Sequence, residues 1–416
     1  MFKSRVLIAS FAVVAAAPVL KTAADPPATP PAPAVSAAPP LLPPPPPPPS
    51  AILGVRAPTP TPTLPLSGGG VGNNGAPSAV APPPTAGMTT PAAASQARAV
   101  DWPMLGGSDL RYNAYPTGVD TTRLALSWQY AIPGDAETTI APVAANGVVY
   151  VTAGSSVYAL NAETGEQIWP APFATKSLEA GLSELPAISS SPAYANGYLF
   201  VGAVNGILYV LDATTGKVVQ ALPTGSSVTS SPTITHGLVV VATEGGTALA
   251  FSLPAPGRPM TRAWITPLSP TDAISGAAAV ARDTIYFTTD AGKAFGLNVR
   301  TGIVQAGAQS EGASFRFGPL PTAAGIFAVS GRKLYLLNSF GLRQSWVQSF
   351  PDDIAAQPAF SNGVFYLVLV NGDLFAFSPE RRTALWSVSL GANSSPKATP
   401  LVAGSSIIVP TANGHV

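Results

Sequence analysis

Seven pairs of turn residues recur between residues 146 and 404, and each pair separates two apolar runs. The second residues of successive pairs are 50, 40, 46, 42, 38 and 41 positions apart, which averages near 43. An interval of this length is that of one four-stranded propeller blade. The pairs are Asn146-Gly147, Asn196-Gly197, His236-Gly237, Arg282-Asp283, Ala324-Gly325, Asn362-Gly363 and Ala403-Gly404.

Each repeat contains the same series of parts, which residues 190–220 (SSPAYANGYLFVGAVNGILYVLDATTGKVVQ) illustrate. A short run after a Pro is followed by a β-branched and aromatic run, a Gly-containing turn and an alternating run, as expected for paired strands. The next turn begins with Asp212, whose carboxylate can accept backbone N–H groups, and ends with Gly216, which tolerates positive φ. The fourth run often ends in Trp, as at Trp169, Trp264, Trp346 and Trp386. We expect these Trp side chains to pack between blades.

Four short strands cannot bury both faces of a sheet, so the sheets must stack, and a ring removes the unfinished ends. The sequence therefore predicts an all-β fold, a seven-bladed β-propeller of four-stranded antiparallel blades over residues 101–416. The last repeat stops at the start of its third strand. We expect the Trp-ended segment 124–130 to supply its fourth strand. The third strand of this repeat is then supplied by residues from Asp101 onward, or it lies in a C-terminal continuation that is missing from the sequence. Such a continuation would also allow an eighth blade.

The first hundred residues have a different composition from the repeats. A short positive region, the apolar run 6–20 and the small residues 22–24 follow the order of a signal peptide, so we expect residues 1–24 to be a cleaved signal or a retained N-terminal anchor. Residues 25–100 contain 23 Pro and no Phe, Tyr or Trp. This segment cannot bury enough apolar surface to order itself, so we expect a disordered Pro-rich linker.

Composition excludes several kinds of site. The chain has no Cys, so thiolate metal sites, Cys–His catalysis and a thiol-linked lipid are ruled out. With two His residues and no Cys, a zinc site is not expected. Residues 101–416 carry 16 basic and 19 acidic residues. Without a basic excess or clustering, nucleic-acid binding is not expected.

The segments LYVLDATTGKVV and VYALNAETGEQIW closely resemble the repeat of the pyrroloquinoline-quinone (PQQ)-like propeller family. The opening Asp101-Trp-Pro-Met-Leu-Gly-Gly-Ser, with Arg111-Tyr112-Asn113, is also similar to that family's usual start. The resemblance implies either of two functions. One branch contains PQQ- and calcium-dependent quinoprotein dehydrogenases; the other contains smaller non-enzymatic propellers, including the lipoprotein of the outer-membrane β-barrel assembly machinery. This chain lacks the adjacent Cys pair common in the first and the lipid-bearing Cys of the second.

Candidate site residues are few, because the loops before the inner strands are mostly small and neutral. PQQ and Ca²⁺ would need carboxylate and amide oxygens, an Arg and a base close together. The candidates are Arg316, Asp352, Asp353 and Lys397, and the alternative interpretation is that they are solvated loop charges. A second group falls at the turns between second and third strands and is a candidate partner-binding face: Glu244, Asp290, Lys293, Arg332 and Asp373.

We therefore expect an exported protein, in the periplasm, the cell envelope or outside the cell. Its predicted role is that of a non-enzymatic, monomeric scaffold for a protein or an envelope polymer, with no cofactor and no metal. A small PQQ- and Ca²⁺-dependent oxidoreductase and a scaffold of outer-membrane protein assembly are the alternatives.

Overall fold

The computed structural model describes residues 101–115, 127–132, 140–175, 186–255, 258–391, 396 and 398–411. Every regular element in these ranges is a β-strand. None of the described segments is a helix that could span a membrane. The predicted signal peptide 1–24 and linker 25–100 lie outside the described residues.

The strands group into seven sheets, and the structure is the predicted all-β seven-bladed propeller. Six sheets contain four consecutive antiparallel strands, and these are blades 1 to 6. In chain order the strands are β1 (Ala114–Tyr115), β2 (Val143–Ala145), β3 (Val148–Ala153), β4 (Ser156–Asn161), β5 (Phe173–Ala174), β6 (Ala193–Ala195), β7 (Tyr198–Gly202), β8 (Ile207–Asp212), β9 (Val218–Pro223), β10 (Thr233–Thr235), β11 (Leu238–Ala242), β12 (Thr247–Ser252), β13 (Arg262–Pro267), β14 (Ala279–Ala281), β15 (Thr284–Thr288), β16 (Lys293–Asn298), β17 (Val304–Gln309), β18 (Leu320–Thr322), β19 (Gly325–Ser330), β20 (Lys333–Leu337), β21 (Gln344–Ser349), β22 (Ala359–Ser361), β23 (Val364–Val368), β24 (Asp373–Ser378), β25 (Thr383–Ser389), β26 (Leu401–Ala403) and β27 (Ser406–Ile408).

The hydrophobic core lies between the blades rather than within one of them. Val143 and Tyr150 of blade 1 pack in one cluster with Leu199 and Val201 of blade 2. Comparable clusters join the following pairs of blades. Because each sheet buries its faces against its neighbours, no blade has a core of its own.

Tryptophan side chains join neighbouring blades, as predicted, at Trp169, Trp264 and Trp346. Trp386 is an exception, because it is 43% exposed and contacts Tyr366 of its own blade. Trp169, which follows β4 in blade 1, donates its ring N–H to the carbonyl of Ala213 in blade 2 at 3.0 Å. Its ring lies against Gly216, where an added Cβ would come within 2.6 Å of the indole. Trp264 and Gly302 repeat this arrangement between blades 3 and 4. Gly is required at these turns because both the positive φ and the ring contact exclude a side chain.

The seventh sheet differs from the prediction. In the described residues its order is β1-β26-β27. The inner strand of this sheet is β26, and β1 pairs with it in parallel on its channel side. The segment 127–130 forms no strand there. Instead Trp128 lies against Gly165 of blade 1 and donates to the Ala162 carbonyl at 3.0 Å. Ala114 and Tyr115 therefore join the inner edge of the last sheet. Trp128 makes the contact expected of a fourth strand without pairing as one.

The antiparallel connections define two faces of the ring. The turns between the first and second strands and between the third and fourth strands of each blade lie at one end of the sheets, which we call the bottom face. The turns between the second and third strands, and the loops from one blade to the next, lie at the other end, which we call the top face.

Candidate functional site

The central channel of the ring contains the segment Asp101–Tyr115, which we call the plug. Its backbone pairs with the innermost strands, whose free edges would otherwise expose unpaired N–H and C=O groups. Trp102 and Ala144 of blade 1 exchange two hydrogen bonds, of 2.6 and 2.9 Å. The plug therefore continues the hydrogen bonding of the sheets into the channel.

The plug makes a hydrogen bond to each of the other six blades as well. Backbone carbonyls of the plug accept from blades 2, 4, 6 and 7, and side chains complete the contacts with blades 3 and 5. The donor–acceptor pairs are Tyr194 N to Pro103 O (2.7 Å), Val280 N to Asp109 O (2.8 Å), Phe360 N to Tyr112 O (2.8 Å), Val402 N to Asn113 O (3.0 Å), Thr235 Oγ1 to Asp109 Oδ2 (3.0 Å) and Tyr112 OH to Pro321 O (2.5 Å).

Arg111 anchors the plug and is completely buried. Its Nε donates to the Ala278 carbonyl at 3.0 Å, one Nη donates to Thr233 Oγ1 at 2.6 Å and to Pro232, and the other donates to the Leu105 carbonyl. Burial lowers the pKa of the guanidinium to about 9, and the charge of Asp109 partly opposes this shift. The group remains cationic at neutral pH, with its donors directed to oxygens of the plug and of blades 3 and 4.

The loops that precede the inner strands contact one another between neighbouring blades. Ser191 N donates to Ser231 Oγ at 3.0 Å between blades 2 and 3. Between blades 4 and 5, a Cβ on Gly276 would lie 2.5 Å from the backbone nitrogen of Gly318. Gln357 is buried in the corresponding loop of blade 6, and its Nε2 has no partner among the described residues.

The residues predicted as cofactor candidates lie on the top face. Arg316 and Asp353 are exposed and Asp352 is partly exposed. No hydrogen bond or ion pair among the described residues joins Arg316 to either aspartate, and Asp352 Oδ1 accepts from the backbone of Asp353 at 2.8 Å. Lys397 lies outside the described residues. Within the described ranges, no three His, Asp or Glu side chains are placed to share a metal ion.

The residues predicted as a partner-binding face also lie on the top face, and three of them have intramolecular partners. Asp290 accepts from Ser275 Oγ, Lys293 Nζ lies 2.6 Å from Asp272 Oδ2, and Asp373 accepts from Asn371 at 2.9 Å. Glu244 and Arg332 are exposed.

The Lys293–Asp272 pair connects blade 4 to the loop before it. Hydrogen bonds from Lys293 and Ser269 lower the pKa of the Asp272 carboxyl to about 2. The carboxylate is therefore favoured in the folded protein.

Sequence reasoning missed the plug as a structural unit. Its residues resembled the usual start of the family, but no pattern in them indicated a channel. Two sequence features pointed to it: the pair Gly106-Gly107, and the aromatic residues that reappear at Trp102 after a long segment without any. In the structure both glycines have positive φ.

Comparison with known proteins gives a family and two kinds of relative. The family described as "Outer membrane protein assembly factor BamB" matches residues 117–181, 153–314 and 305–416. A quinohemoprotein alcohol dehydrogenase of Comamonas testosteroni is 29% identical over 163 residues, which are 36% of this chain and 23% of that protein. The outer membrane protein assembly factor BamB of Shewanella oneidensis is 25% identical over 134 residues, 31% of this chain and 34% of that protein.

Both curated relatives are therefore matched over about a third of their length or less. Among solved structures, BamB from Moraxella catarrhalis superposes with a TM-score of 0.58 at 13% identity, covering 73% of this chain and 95% of that one. At this identity the structural likeness shows the shared propeller fold alone.

Proposed function

The chain belongs to the propeller family described as outer membrane protein assembly factor BamB, and we propose that it acts as a non-enzymatic interaction scaffold of the cell envelope. The observation that carries this proposal is the plug. A segment of the chain itself occupies the channel and hydrogen-bonds to all seven blades. The surfaces left for function are then the two faces of the ring.

The described residues do not fit PQQ and calcium, the groups that the quinoprotein relatives suggest. Arg111, the buried cation of the channel, already donates to protein oxygens. Among the described residues, Arg316 forms no hydrogen bond or ion pair with Asp352 or Asp353. A PQQ-dependent oxidoreductase is the alternative function, which experiments on PQQ binding test.

Outer-membrane protein assembly is the specific context that we favour for the scaffold. The family description and the Shewanella oneidensis relative support it. The predicted signal or anchor 1–24 supports an exported location, with the Pro-rich segment 25–100 as a tether between the envelope and the propeller. We expect the partner to be a protein of the envelope rather than a small molecule.

In-cell cross-linking followed by affinity capture tests the proposal. The full chain, expressed in its native envelope, should enrich a small set of envelope proteins in near-stoichiometric amount. A chain with the same tether and a propeller unfolded by core substitutions serves as control and should enrich none of them. Equal enrichment by both chains, or no enrichment, would refute the scaffold proposal.

A further inference from the structure

Arginine is concentrated at one part of the bottom face. The turns and connections between the third and fourth strands of blades 3 to 6, with the first turn of blade 4, carry exposed Arg side chains. We call this group the basic rim: Arg262, Arg282, Arg300, Arg343, Arg381 and Arg382. Arg258 lies in the same connection as Arg262.

Acidic residues do not balance the basic rim. In the described turns of the bottom face of blades 3 to 6, the carboxylates are Asp283 and Glu380. Asp283 lies 4.0 Å from Arg300 and 3.5 Å from His236, so its charge is already shared. The rest of the rim therefore presents a positive surface, whereas the bottom of blade 1 carries Glu163 and Glu166.

Exposed apolar side chains lie within the same rim. Phe340 is 97% exposed in the turn that precedes Arg343, and Ile303 is 65% exposed in the turn that contains Arg300. Arg382, in the bottom turn of blade 6, lies 5.7 Å from the centre of the Trp346 ring in β21 of blade 5, so it links the two blades. Arg and aromatic residues are enriched at protein–protein interfaces, and exposed Phe side chains serve as anchors there.

We propose that the basic rim is the partner-binding surface of this propeller and that its partner is an acidic polypeptide segment with large apolar side chains. The inference rests on the proposed scaffold function and identifies the face and the partner's chemistry. Carboxylates are the expected ligands, because a guanidinium binds a carboxylate through two parallel hydrogen bonds. The cationic residues of the rim are all Arg, which favours this paired recognition over attraction to a lipid surface through point charges.

Charge reversal on the two faces tests the inference. The rim variant is Arg343→Glu with Arg381→Glu, and its matched control is Arg332→Glu with Lys333→Glu on the top face, where both residues are also exposed. The probe is a fluorescein-labelled peptide of Glu and Asp residues interrupted by Phe and Leu. The control peptide has Gln in place of each Glu and Asn in place of each Asp. Fluorescence anisotropy is measured at about 50 and about 300 mM salt.

We expect the full chain to bind the acidic peptide and not the amide peptide, with weaker binding at the higher salt. The rim variant should bind about tenfold more weakly, and the control should bind as the wild type does. Phe340→Ser should also weaken binding without changing its salt dependence, because it removes an apolar contact only. Equal losses in the rim variant and the control, or no binding of the acidic peptide, would overturn the inference.

Two further measurements test whether a membrane or a second copy of the chain binds the rim instead. Rim-dependent binding to vesicles of phosphatidylglycerol and phosphatidylcholine, in the absence of peptide binding, would assign the rim to a membrane and overturn the proposal. A dimer in sedimentation velocity that Arg343→Glu abolishes would assign it to a second copy, with the same consequence. If the rim variant still captures envelope proteins in the cross-linking experiment, the scaffold function stands and only this assignment of its face fails.

Discussion

At the scale of single residues, Arg111 determines how the plug is held. A buried guanidinium carries a large desolvation penalty, which is offset only when its donors find acceptors. Here they reach Ala278, Pro232, Thr233 and Leu105, so one side chain connects the plug to blades 3 and 4.

Arg111→Ala should lower the free energy of unfolding by about 3 kcal/mol, because it leaves buried carbonyls without donors and opens a cavity. Equilibrium urea denaturation followed by Trp fluorescence measures the change. The exposed Arg332→Ala should change stability by less than about 0.5 kcal/mol. Equal stability of Arg111→Ala and the wild type would show that the guanidinium does not hold the plug.

The Asp272–Lys293 pair predicts a dependence of stability on pH. The pKa of Asp272 is lowered from 3.8 to about 2 in the folded protein, so the unfolded chain binds a proton more readily as the pH falls. The stabilisation is complete above about pH 4 and is lost as the pH falls towards 2. Asp272→Asn should therefore be less stable than the wild type at pH 7, with a difference that narrows below pH 4. Urea denaturation at a series of pH values measures it, and a difference that stays constant to pH 2.5 would contradict the expectation.

At the scale of strands and turns, the recurring unit of stability is the contact between a Trp of one blade and a Gly of the next. The turn Asp212–Gly216 is built for this contact, because Asp212 accepts the backbone N–H groups of Thr214 and Thr215 at 3.1 and 2.8 Å. Gly216 then closes the turn with φ of 71° beneath the Trp169 ring.

Two glycine substitutions separate the ring contact from the backbone requirement. Gly197 also has positive φ, but nothing lies within 4 Å of a Cβ added there. Gly197→Ala should therefore cost about 1 kcal/mol for the left-handed backbone alone. Gly216→Ala should cost about 3 kcal/mol, because the indole must also move. Thermal unfolding of the two variants compares them, and equal losses would mean that the ring contact contributes nothing.

Strands were predictable because their signals are local. The run at Val148 and the turn at Asn161 are read from neighbouring residues, and β3, β4 and the turn after them lie where expected. The pairing of β1 with β26 was not predictable in this way. Its partners, Ala114 and Val402, are almost three hundred positions apart, and Ala and Val carry no signal of a parallel bridge.

At the scale of the whole molecule, the plug joins the seven blades by hydrogen bonds at their inner strands. The sequence correctly assigned the top-face turns to one end of the sheets, but it could not show that Asp290, Lys293 and Asp373 are engaged by neighbouring side chains. It also could not indicate that a segment of the chain lies in the channel, since many of the plug's hydrogen bonds come from its backbone. Local sequence patterns therefore predicted the propeller fold, whereas contacts between side chains that are distant in the sequence are visible only in the structure.

Our central claim is that the protein's own plug lies in the channel and that the faces of the ring carry the function. Titrating the purified full chain with PQQ in the presence of Ca²⁺ tests this claim most directly. Absorbance of bound quinone and reduction of an electron-accepting dye with alcohol substrates are the readouts. The account predicts no stoichiometric binding and no dye reduction, in the wild type and in the Arg343→Glu, Arg381→Glu variant alike. One equivalent of tightly bound quinone with substrate-dependent dye reduction would contradict it.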